Sequence, residues 1–319
     1  MYSIILSHNY YFLRNIYLHI RDPFVVPEDG RYYLFGSTDK NIWGSRGTGF
    51  DMYVSVAGTG PDAFTEFEGP FPAFRPPEDF WSETNFWAPE IHRYQGSYYM
   101  FATFKVRKGR RGTAILKSES GVEGPYAPWS LNAGGASGPV TPAEWECLDG
   151  TFFVEGETPY MVFCHEWQQA GDGKICAMPL TQDLKRAAAA PALLFQASEA
   201  PWASELRGRA PGSYVTDGPF MHRTGDGALL MLWSSFDKNG NYCIGTAHSQ
   251  DGTLAGPWIQ SNKPLYNADG GHGMIFQGGG GTLYLAIHRP NKTPFERPIF
   301  VELIEKDGTV MLRRGESYA

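Results

Sequence analysis

Four ionisable residues sit in matching phrases that lie far apart in the chain. They are Asp22 in Arg21-Asp22-Pro23, Asp149 in Leu148-Asp149-Gly150, Asp217 in Thr216-Asp217-Gly218-Pro219, and His272 in Gly271-His272-Gly273. A fifth phrase, Trp87-Ala88-Pro89-Glu90, offers Ala88 at the corresponding place. If these slots meet in space, three carboxylates and an imidazole face one another. Like charges at close range raise one another's pKa values, and such clusters tend to mark functional sites. The set suits acid–base hydrolysis of a glycosidic bond. One carboxylic acid protonates the leaving oxygen, and one carboxylate activates water or attacks carbon. A third carboxylate keeps the acid protonated by repulsion.

Asp-Gly is also a turn dipeptide, so Asp149-Gly150 and Asp217-Gly218 taken singly read as strand openings. The recurrence argues for more, because Asp22 and His272 fill the same slot in different dipeptides.

The phrases recur at roughly 55 to 70 residues, a spacing that fits propeller blades with generous loops. Each runs into an apolar stretch, a Gly-containing turn and a second apolar run, as in Tyr32-Tyr33-Leu34-Phe35, Tyr98-Tyr99-Met100-Phe101 and Tyr160-Met161-Val162-Phe163. Such runs read as strands. Three units close on a shared phrase: Glu68-Gly69-Pro70-Phe71, Glu123-Gly124-Pro125-Tyr126 and Ala255-Gly256-Pro257-Trp258. The expected fold is an all-β, five-bladed β-propeller forming a single domain over 1–319, with blades at roughly 21–85, 86–146, 147–213, 214–268 and 269–319. Radial blades leave only short, protected sheet edges. The innermost strands line the central channel, so equivalent slots converge on one axis.

Neighbours of the slots supply candidate substrate contacts. Trp87 and Glu90 flank Ala88, with Glu90 on the same strand face one step deeper. The second strand of blade three ends in His165-Glu166-Trp167, and that of blade five in Ile287-His288-Arg289. Strands returning to the face where the innermost strands begin would deliver His165, Glu166, Trp167 and Arg289 to a funnel there. The loop 37–50 holds Trp43 and borders the same funnel. Residues 184–211 are expected outside the blades, as a long loop or a short helix around Arg186–Ala190.

The composition is globular, with 42% hydrophobic and 19% charged residues among 319. The aromatic share of 15% is high and suits cores between blades and a funnel where sugar rings stack. A net charge of −7 argues against nucleic acid as a partner. The one basic run, Lys105-Val106-Arg107-Lys108-Gly109-Arg110-Arg111, reads as a solvated hairpin tip, or as a contact for an acidic polymer decoration. Cys147, Cys164, Cys176 and Cys243 show no zinc-like spacing and are expected as reduced core residues. The stretch from Met1 to His19 lacks a basic start and a continuous apolar run, so no export signal is expected and the location is cytoplasmic. No segment reaches the roughly 18 uninterrupted apolar residues of a membrane span.

In this order, one per blade, the phrases resemble glycoside hydrolase family 43, the arabinofuranosidase and β-xylosidase group, from Arg21 to about Gly308. The resemblance implies an inverting, exo-acting hydrolase of arabinofuranosyl, xylosyl or related furanosyl residues of plant polysaccharides or oligosaccharides. It implies Asp22 as general base, Asp149 as pKa modulator that also orients the acid, and His272 as a ligand of an axial calcium, partly through water. One departure stands out. The family's acid is usually Glu in Glu-Gly-Pro, whereas here Asp217 precedes Gly218-Pro219. Asp217 is taken as the acid, with Glu166 in reserve. Two other readings stay open: a retaining fructosidase-like enzyme with Asp22 as nucleophile and Glu146 as acid, and a carbohydrate-binding propeller without turnover.

Overall fold

Short runs of aromatic and branched residues, broken by Gly and Asp, favour strands that pair with their immediate neighbours in sequence. A computed structural model of the chain describes residues 12–14, 18–56, 61–64 and 66–313. These form five antiparallel sheets set in a ring, a five-bladed β-propeller. The innermost strands are Arg21–Glu28, Ser82–Tyr94, Cys147–Glu155, Asp217–Arg223 and Gly271–Gln277. Their hairpin partners are Arg31–Ser37, Ser97–Val106, Thr158–His165, Leu229–Phe236 and Leu283–Arg289. The three Gly-Pro closing phrases each carry a cis peptide bond, at Gly69-Pro70, Gly124-Pro125 and Gly256-Pro257.

Aromatic residues fill the wedges between blades. Phe50, Phe74 and Phe86 pack with Phe104 between blades one and two. Trp202 and Phe195 pack on the fully buried Trp233 between blades three and four. Each such side chain contributes about 1.5–3 kcal/mol by leaving water. The four cysteines are free and buried, as their apolar surroundings in sequence suggest.

Two features depart from expectation. The strand Phe12–Arg14, upstream of the first sequence repeat, pairs with Arg297–Lys306 through Phe12↔Val301, Leu13↔Phe300 and Arg14↔Ile299. Blade five therefore draws a strand from the start of the chain, which ties the ring shut. Residues 1–11 and 15–17, part of the stretch from Met1 to His19 in which no export signal is expected, lie outside the described residues. The second departure is the segment 184–211. It forms no α-helix at Arg186–Ala190 and instead contributes the outer strand Ala192–Gln196 of blade three. Four alanines are too few to offset helix nucleation, and Pro191 follows them directly.

Candidate active site

Each innermost strand carries a register shift at its start. The pairing skips residues between Arg21 and Phe24, Trp87 and Glu90, Leu148 and Thr151, Asp217 and Phe220, and Gly271 and Met274. The residue just after the first of each pair has a left-handed backbone: Asp22 at φ 54°, Ala88 at 45°, Asp149 at 55°, Gly218 at 51° and His272 at 49°. The bulges re-aim these residues into the axis. The axial slot of blade four is thus Gly218 and not Asp217, which corrects the expected alignment by one residue. A Cβ on Gly218 would lie 2.8 Å from His272 Cγ, so the imidazole occupies the space a side chain would need.

Two tiers result. Asp22, Asp149 and His272 form the axial tier, and Arg21, Trp87, Leu148 and Asp217 stand one residue earlier. All seven line one cleft of about 910 Å³. Glu166 and Trp167 reach it from blade three, as expected from their position. Glu90, His165 and Arg289 do not line it. Glu90 is buried against His92, Oε2 to Nε2 at 2.8 Å. His165 stacks on Trp145 at 4.4 Å and bonds Gln169 at 2.9 Å, which makes it part of a loop anchor. In blade five the inward residue is His288, fully buried with Nδ1 3.4 Å from Asp22 Oδ1, while Arg289 belongs to the strand register opposite Arg297.

Asp22 has cationic groups on one carboxylate oxygen and a hydroxyl on the other. Ser37 Oγ donates to its Oδ2 at 2.8 Å, and its Oδ1 lies 3.3 Å from His272 Nδ1 and 3.5 Å from Arg21 Nε. Burial alone would raise its pKa, but His272, Arg21, His288 and the Ser37 hydroxyl together hold it below the usual carboxylate range. Asp149 and Asp217 respond the other way. Burial and the neighbouring carboxylates push Asp149 up to about 7, against the pull of His272. Burial likewise raises Asp217, whose Oδ2 accepts from Tyr242 Oη at 3.1 Å. For His272, burial favours the neutral ring, yet Asp22, Asp149 and Asp217 outweigh it and raise its pKa. Burial takes Glu166 up to about 8 although Arg111 Nη1 stands 3.2 Å away.

The walls carry further groups. Arg111, at the end of the basic run, turns inward between Glu146 at 3.0 Å and Glu166, and its guanidinium lies 5.4 Å from the Trp87 ring. Within the same run Arg107 pairs outside the cleft with Glu83 at 3.0 Å, and Arg110 reaches Glu146 at 3.7 Å. Arg21 lies 5.3 Å from Trp43 and is held by Asn291 at 2.6 Å and Glu296 at 3.1 Å. Trp43 packs edge-on against Trp87, and its Nε1 donates to Thr293 Oγ1 at 3.0 Å. The sequence offered the basic run as a contact, but which of its cations turns to the cleft depends on the blade it faces. Glu146, the acid of the retaining alternative, is engaged by Arg111 through both its backbone N and Nε and does not line the cleft.

A calcium ion asks for six to eight oxygen ligands. Among the described residues no group of three or more His, Cys, Asp or Glu forms a metal cage. His272 Nδ1 is already directed at Asp22 and, at 3.7 Å, at Asp149. The protein groups at His272 therefore do not fit direct calcium ligation.

A family model described as Glycosyl hydrolases family 43 matches residues 16–310. Among solved structures, an endo-arabinase from Bacteroides thetaiotaomicron VPI-5482 is 37% identical, with a TM-score of 0.81, covering 93% of this chain and 98% of that one. An exo-1,5-α-L-arabinanase from a bovine ruminal metagenomic library shares the fold at 17% identity, with a TM-score of 0.66, over 93% of this chain and 97% of the other. α-L-Arabinofuranosidase 43 of Humicola insolens is 25% identical over 197 residues, which is 56% of this chain and 36% of that protein. The chain thus spans about a third of the length of that curated relative.

Proposed function

The chain belongs to glycosyl hydrolases family 43, and we propose that it cleaves α-L-arabinofuranosyl linkages of plant arabinan or its oligomers with inversion, removing terminal residues. The convergence of Asp22, Asp149 and Asp217 on His272 within one aromatic- and arginine-lined cleft carries this reading. Asp22, kept ionised, takes a proton from a water as that water attacks the anomeric carbon. Asp217, its pKa raised by burial, gives its proton to the glycosidic oxygen as the carbon–oxygen bond breaks. The cycle ends with Asp22 protonated and Asp217 ionised, and exchange with solvent resets both. Asp149 is tied by the Gly218 amide beside the acid, and His272, its pKa raised by Asp22, Asp149 and Asp217, faces all three carboxylates. Trp87, Trp43 and Trp167 offer stacking faces for sugar rings, and Arg21 and Arg111 offer donors to hydroxyls.

The terminal mode draws support from the Trp43–Thr293 bond, which joins a loop of blade one to a loop of blade five across one side of the cleft. An internal mode has its own support in the likeness to the 37% identical endo-arabinase. Products from linear arabinan separate the two. Arabinose alone from the first minutes fits terminal attack; oligomers at that stage overturn it. Proton NMR of the first-formed anomer tests inversion.

A further inference from the structure

The five junctions between blades share one device around the axis. Each of the five left-handed residues, Asp22, Ala88, Asp149, Gly218 and His272, is preceded by one that pairs across the hairpin with a residue of the second strand: Ser37, Thr103, Cys164, Ser234 or His288. All five of these are fully buried. In four cases that residue accepts the axial amide of the next blade. Ala88 N–H donates to Ser37 Oγ, Asp149 N–H to Thr103 Oγ1 and His272 N–H to Ser234 Oγ, each at 2.8 Å. Asp22 N–H donates to His288 Nδ1 at 3.3 Å, which closes the circle from blade five to blade one. At the junction of blades three and four stands Cys164, and there the Gly218 amide donates to Asp149 Oδ2 at 3.1 Å.

We propose that Cys164 is a positioning residue for the hydrolytic pair: a thiol, too weak an acceptor to claim the Gly218 amide, leaves that amide to Asp149 and so ties the third carboxylate to the backbone that carries Asp217. A hydroxyl accepts an amide far better than sulfur does. At the other junctions the acceptor is a hydroxyl or an imidazole, and the amide is consumed in holding one blade to the next. At this junction alone the bond reaches from one site carboxylate to the residue beside another. A peptide N–H on a carboxylate is a charge-assisted bond that restricts its rotation. Asp149 is thereby held between its own backbone anchor on Thr103 and the Gly218 amide.

The inference rests on the proposed function only in taking Asp149 and Asp217 to act together. Cys164→Ser and Cys164→Ala separate the thiol's role from simple packing. Serine supplies a competing acceptor; alanine supplies none. The Cys164→Ser protein is expected to lose about tenfold in kcat on an aryl arabinofuranoside with KM unchanged, while Cys164→Ala keeps a kcat close to wild type. In parallel, the amide proton of Gly218 in isotopically labelled protein should shift in the serine variant and stay in place in the alanine variant. Cys164→Thr, which reproduces the side chain of Thr103 at this junction, carries the same acceptor if the serine variant does not fold. Equal kcat in the serine and alanine variants, or an unmoved Gly218 amide in the serine variant, would overturn the proposal. If the wild type turns over no glycoside, the hydrolase reading fails, and the amide shift alone still decides whether Cys164 governs the Gly218 bond.

Discussion

His272 Nδ1 lies 3.3 Å from Asp22 Oδ1, so an imidazole at the start of the last blade meets a carboxylate at the start of the first. The pair is sequestered, with His272 and Asp22 8% and 6% exposed. It also explains the division among the acids. His272 and Arg21 beside Asp22 favour its anion, whereas Asp217 is only partly buried and its pKa is raised.

Asp22→Asn removes the base while keeping the shape of the side chain. A general base contributes about 10²–10⁴-fold, so kcat/KM on p-nitrophenyl arabinofuranoside should fall by at least that lower bound. The melting temperature, read by circular dichroism, reports whether the ring survives. Residual activity within tenfold of wild type would remove Asp22 from this role.

Asp217→Ala tests the acid. A substrate with a good leaving group needs little protonation, so the loss on p-nitrophenyl glycosides should be much smaller than on arabinan oligomers. Glu166 also lines the cleft and is pushed up to about 8, which leaves it protonated at neutral pH. If Glu166→Ala, and not Asp217→Ala, shows the leaving-group pattern, the acid is Glu166.

Trp43 is 56% exposed, yet it touches Arg21, Trp87 and Thr293 at once. Trp43→Ala should raise KM for oligomers by about tenfold, the scale of a lost aromatic contact and hydrogen bond. kcat on a small aryl glycoside should change little. A fall in kcat with KM intact would instead place Trp43 in the chemical step through Arg21.

Glu296 anchors Arg21 at 3.1 Å and accepts from Thr293 Oγ1 at 2.6 Å. Burial would raise its pKa, but His19, Thr293 and Arg21 hold it at about 2. A depressed carboxylate contributes stability that is complete above its unfolded pKa, near 4.3, and is lost as pH falls through the folded value. Glu296→Gln should therefore lower the melting temperature at pH 6, and the gap to wild type should narrow between about pH 4 and pH 2. A gap that stays constant across that window would show that the charge of Glu296 is not what stabilises the loop.

Much of the fold was legible because blade strands pair locally. Tyr32-Tyr33-Leu34-Phe35 needs only the turn at Asp29-Gly30 to meet Phe24-Val25-Val26. The strand Phe12–Arg14 was not legible, since its partner lies nearly three hundred residues away. The alignment at Asp217 slipped by one because Asp149-Gly150 and Asp217-Gly218 read alike. Only the left-handed backbone, at Asp149 in one and Gly218 in the other, distinguishes them.

Residue types and their periodic recurrence were enough to determine five blades, the acidic phrases and the hydrolytic chemistry they suit. The assembled ring decided the rest: which acid stays charged, that Arg111 turns inward while Arg107 stays outside, and that Gly218 bonds Asp149 across the break at Cys164. Strand pairing depends on neighbours within a hairpin, so it can be read along the chain. Protonation and cross-axis hydrogen bonds depend on distances between blades, which exist only once the circle has closed.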